Sequence, residues 1–171
     1  MLTRPQENEY SLYPGQYIDL VPDGDLLGIL ETSETIVTAL LEQLPERQGD
    51  FRYAPGKWSL KEVVGHITDN ERIMSYRLLR IARGDQTPLA GYDQDLFMQS
   101  SPFDGWSLAQ VAEDYKSVRR ATYTLLRGLR ESDWLRIGQA NGSEISARAL
   151  AYVIAGHEIH HMNVIRERYL P

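Results

Sequence analysis

Gly156-His157-Glu158-Ile159-His160-His161 admits two architectures. Read as His-Glu-x-x-His, it is the zinc helix of a metallopeptidase, with Glu158 as general base and a third ligand further along. Read as the continuation of the apolar stripe Leu150, Ile154, His157, His161, Val164, it is the core face of a bundle helix. Only ten residues follow His161, and Glu167 is the one carboxylate among them. The peptidase reading therefore lacks its downstream ligand and its sheet-lined cleft, and the bundle reading stands. Positions i and i+4 share a helix face. Two imidazoles in a core register cost free energy unless their ring nitrogens find partners. A shared metal ion supplies one.

Outward from this helix, which should span about Ala147 to Tyr169, three more segments carry helical periodicity. They run from about Asp25 to Leu44, Leu60 to Arg83 and Leu108 to Arg130. The clearest stripe is Leu108, Val111, Tyr115, Val118, Thr122, Leu125 and Leu129. Trp58-Ser59-Leu60-Lys61-Glu62 and Trp106-Ser107-Leu108-Ala109-Gln110 are capping boxes, each with a Trp placed to staple onto the first turn. Ser146 should cap the last helix, and Pro45 and Pro171 sit where the first and last helices stop. The connection from Gly84 to Trp106 is longer than the usual two to eight residues between bundle helices, so the helices it joins can run parallel after a crossover. No segment reads as a strand pair, apart from weak alternation at Phe51-Arg52-Tyr53. Residues 1–22, with Tyr10, Tyr13 and Tyr17, are too aromatic for a disordered tail and should wrap the bundle.

The fourth histidine, His66, lies at the edge of the second stripe and completes a set of three with His157 and His161, leaving a coordination position open as catalytic zinc sites do. His160 points elsewhere around the helix, as a flanking residue. Gly65 and Gly156 each precede a ligand histidine and should let neighbouring helices approach closely.

At 171 residues the chain suits one domain, over 1–171. A net charge of −6 argues against nucleic acid as a partner. The absence of cysteine excludes disulfides, a thiolate nucleophile and thiolate ligands, and fits a reducing compartment. With no apolar leader and no membrane-length apolar run, the expectation is a cytoplasmic protein acting on a small molecule.

Tyr53-Ala54-Pro55-Gly56-Lys57-Trp58-Ser59, Gly65-His66-Ile67 with Asp69 and Glu71-Arg72, Tyr76-Arg77, and Arg80-Ile81-Ala82-Arg83-Gly84-Asp85 resemble the DinB-like superfamily. Gly156 to His161, with Arg166-Glu167-Arg168-Tyr169-Leu170, resembles its last helix. The resemblance covers nearly the whole chain from about Tyr10. It implies an all-α four-helix bundle of up-down-down-up topology with a long connection between helices two and three. It also implies a divalent metal, zinc or nickel, on His66, His157 and His161, and a homodimer. Members of the family divide between metal-dependent hydrolases and S-transferases using low-molecular-weight thiols such as bacillithiol or mycothiol. An open three-histidine site can activate either water or a thiol, and in a chain without cysteine the thiol is a co-substrate from outside. Asp69, one turn from His66, is the candidate catalytic residue, as proton acceptor or as a group orienting a ligand. Arg72, Arg77, Arg80 and Arg83 could attract an acidic thiol or form a salt-bridged face. The alternative to an enzyme is a non-catalytic, metal-stabilised bundle with a stress-related or binding role.

Overall fold

The computed structural model describes residues 2–170; the stop expected at Pro171 lies outside them. The elements in chain order are α1 (Leu12–Ile18), α2 (Leu26–Gln43), α3 (Glu46–Gly49), α4 (Leu60–Ala82), α5 (Gln94–Gln99), α6 (Leu108–Arg127), α7 (Glu131–Trp134), β1 (Ile137–Ala140), β2 (Ser143–Ser146) and α8 (Ala147–Arg168). The long helices α2, α4, α6 and α8 form a four-helix bundle.

Their starts follow local chemistry. Ser59 accepts from the Glu62 N–H while Glu62 accepts from the Ser59 N–H, and Ser107 and Gln110 repeat the exchange. Asp25 and Ser146 cap α2 and α8 by accepting from Gly28 N and Ala149 N. Cross-helix bonds give the directions. Arg72 meets Asp114 and Ser75 meets Thr122, so α4 and α6 run parallel. Lys116 meets Glu42 and Arg127 meets Glu31, so α2 and α6 are antiparallel. Tyr169 Oη donates to Trp58 O just before α4, which makes α8 antiparallel to α4. The order is up-down-down-up, and the long connection between α4 and α6 is what permits it.

Apolar packing is divided into two clusters. One gathers Leu26, Leu30, Leu78, Ile81 and Leu126 around the first half of α8; the other gathers Val37, Leu41, Leu60, Val64, Val111 and Ile165 around its second half. Between them α4, α6 and α8 each turn polar side chains inward: His66 and Glu71, Arg119, and His157 and Glu158. Two of the candidate ligand histidines, His66 and His157, lie in this polar belt.

Two expectations need correction. Phe51-Arg52-Tyr53 forms no strand. A strand pair does exist: β1 and β2 are antiparallel, with Ile137 opposite Ser146 and Ala140 opposite Ser143. Small residues hide its alternation, since Gly138 and Ala140 are the inward positions, and Ile81 occupies the space a Cβ at Gly138 would need. The legible signal was Asn141-Gly142, both at positive φ, the preferred two-residue hairpin turn. Leu89, in the long connection, bonds to this hairpin through Gln139 O and the Asn141 N–H.

The N-terminal segment makes side-chain and helix contacts with the bundle. Glu9 accepts from Ser146 Oγ and Arg148, Arg4 donates to Ile18 O, and α1 lies along α8. Among the described residues no helix is long and apolar enough to cross a membrane.

Candidate metal centre

α4 delivers His66 and α8 delivers His157 and His161 to one point. His157 Nε2 lies 3.1 Å from His66 Nε2 and 3.2 Å from His161 Nε2. An imidazole nitrogen carries either one proton or one lone pair, so His157 Nε2 cannot make two good hydrogen bonds here. A shared cation satisfies all three nitrogens. With metal–nitrogen bonds near 2.0–2.1 Å, ligands at two corners of a tetrahedron stand about 3.3 Å apart, close to the spacings found. Among the described residues no carboxylate joins this cluster, so the three nitrogens leave the remaining coordination open.

Electrostatics keep the rings in the ligand form. Burial, reinforced by His160, lowers the pKa of His66 to about 4 and, with His66 also contributing, that of His161 to about 3. The same desolvation and the neighbouring imidazoles push His157 well below the ordinary value. All three are neutral at neutral pH. Trp58 tilts against His66 at 4.9 Å between ring centroids, and Tyr17 meets the edges of His157 and His160. His160 itself is exposed and outside the cluster.

Glu158, the general base of the peptidase reading, belongs instead to a buried charged network. It is buried, accepting from Tyr115 Oη at 2.7 Å and from Arg119 Nη2 at 2.5 Å. Arg119 also donates to both oxygens of Glu71 and, through Nη1, to Leu30 O. This network was missed in sequence. Its signal was an arginine next to Val118 within the α6 stripe, where an unpaired charge is untenable.

Asp69 sits apart from the histidines' shared point. Its Oδ1 accepts from Arg72 at 3.1 Å, it lines neither cavity at the histidines, and burial raises its pKa against the opposing pull of Arg72. The two glycines divide: Gly156 lets a helix, α1, approach α8 closely as expected, whereas Gly65 admits a side chain of the long connection rather than a helix. A Cβ at Gly65 would strike the Phe103 ring in the long connection, and one at Gly156 would lie 1.9 Å from Tyr17 O on α1.

Two cavities meet the triad. The first, about 190 Å³, includes His157 in its wall, with Tyr17, Asn70, Met74, Arg77 and Tyr92. The second, about 680 Å³, includes His161, with Trp58, Met98 and Tyr169.

The DinB superfamily model matches residues 29–165. A Bacillus pumilus protein named provisionally as a metal-dependent hydrolase is 26% identical over 132 residues, spanning 75% of this chain and 74% of its own length. Among solved structures, YfiT from Bacillus subtilis, assigned provisionally to the metal-dependent hydrolases and described as having an unusual four-helix bundle topology, aligns with a TM-score of 0.68 at 19% identity, over 96% of this chain and 93% of its own. The mycothiol-dependent maleylpyruvate isomerase aligns with a TM-score of 0.66 at 12% identity, over 85% of this chain and 61% of its own length. At such identities the two structures bear on the fold alone.

Proposed function

This chain belongs to the DinB superfamily, and from that premise we propose that it is a metal-dependent enzyme joining an externally supplied low-molecular-weight thiol to an electrophilic small molecule. The observation that carries this reading is the pair of cavities, one walled by His157 and the other by His161. A hydrolase needs only water as its second reactant. A transferase needs room for two organic molecules at one centre. The relative that depends on mycothiol adds a thiol to the reactions seen on this fold.

His66, His157 and His161 would hold the ion, and their neutral rings need lose no proton to do so. A divalent ion there supplies Lewis acidity and lowers the pKa of a bound thiol or water. Tyr17, whose phenol is pushed up by burial, stays protonated in the wall of the first cavity. In transfer to a chlorinated dinitrobenzene, the carbon–sulfur bond forms as carbon–chlorine breaks. Chloride leaves with the bonding pair, and the thiol proton passes to solvent. The open ligand set also disfavours the non-catalytic alternative, which a fourth protein ligand would support.

The test is a screen of the metal-loaded protein with that acceptor and bacillithiol, mycothiol or glutathione. Turnover with at least one thiol is expected, and it should disappear on chelation. The second reading, hydrolysis, rests on the name of the Bacillus pumilus relative. It prevails if no thiol supports turnover while an ester or amide panel is cleaved.

A further inference from the structure

The four arginines of α4 and its C-cap divide three to one. Arg72 pairs with Asp69 and Asp114, Arg80 with Asp85, and Arg83 with Asp133. Arg77 has no carboxylate within 4.0 Å among the described residues, although it is only 6% exposed. The other buried arginines are compensated, Arg119 by Glu71 and Glu158 and Arg148 by Glu9. Arg77 donates from Nη2 to Ala90 O at 2.6 Å, sets Nη1 3.7 Å from Met74 Sδ, and lies 5.9 Å from the centre of the Tyr92 ring. These partners are neutral, and a guanidinium does not shed its charge. A buried cation without a counter-ion is strongly unfavourable unless something else supplies one.

Arg77 lines the cavity that reaches His157. Asn70 donates to Tyr92 Oη at 2.8 Å and so braces the ring beside it. Glu144 lines the same cavity, but it is exposed and forms no ion pair with Arg77. The wall also carries apolar side chains, Met74, Leu150 and Val153.

We infer that the electrophile admitted to the His157 cavity is a small organic acid with an apolar body, its carboxylate held by Arg77. The planar fork of the guanidinium matches a carboxylate, and the smaller of the two cavities suits the smaller reactant. The identity of this reactant as the electrophile rests on the transferase reading; the carboxylate preference itself does not.

Binding of para-chlorobenzoate and of its uncharged amide, measured by calorimetry on the metal-loaded protein without any thiol, tests the assignment. The acid should bind at least about tenfold more tightly, the scale of one charge-assisted hydrogen bond. Arg77→Gln, with helicity and metal content checked, should erase the preference, and Arg77→Lys, which keeps the charge without the fork, should leave an intermediate ratio. Equal affinities in the parent protein overturn the inference. So does a preference that is unchanged in the variants, as a carboxylate held by the metal alone would give. Because the readout is binding, a failed thiol screen would leave this result standing, and the reverse holds as well.

Discussion

His157 is the residue on which the centre is assembled, since its Nε2 is the one close to both of the others. Its loss should remove stoichiometric metal while the helices persist, because the apolar clusters on either side do not depend on it. Elemental analysis of His157→Ala beside its far-ultraviolet circular dichroism tests this, and full metal occupancy in the variant would refute the ligand set. At this scale, spacing alone revealed the His157/His161 pair, because an i, i+4 relation is a property of the helix itself. The fate of Glu158 was not legible. One residue from a ligand, it belongs to Arg119 and Tyr115, partners 39 and 43 positions away.

Among the elements, α1 depends most on a single small residue. Gly156 lets the Tyr17 carbonyl rest against α8, and Tyr17 in turn sets its ring against His157. Gly156→Ala should push α1 outward at a cost of about 1–3 kcal/mol, as overpacking does. Hydrogen exchange should show faster exchange in residues 12–18 with protection kept in α4 and α6; an unchanged melting temperature and exchange pattern would count against the contact. The four long helices were legible from periodicity and caps, to within three residues at each end. The hairpin was not, because its inward side chains are nearly absent, and only its Asn141-Gly142 turn marked it.

For the whole molecule, Arg119 is the common tie. It joins Leu30 O of α2, Glu71 of α4 and Glu158 of α8 from its own place on α6. Arg119→Met would leave two buried carboxylates without their cation and should lower stability by about 3–5 kcal/mol, read from equilibrium urea unfolding; a loss below 1 kcal/mol would show that the carboxylates find other partners or protonate at little cost. The helices, their caps and the histidine pair were legible locally, since each is set by residues within a few positions of one another. The sequence also limited the connection between α4 and α6 to lengths that allow a crossover. His66 was already expected as the third ligand, but the charged belt between two apolar clusters and the separation of Arg77 from its paired neighbours arise only when distant segments meet in the folded chain. These are long-range juxtapositions, and no local pattern encodes which charge will find a partner.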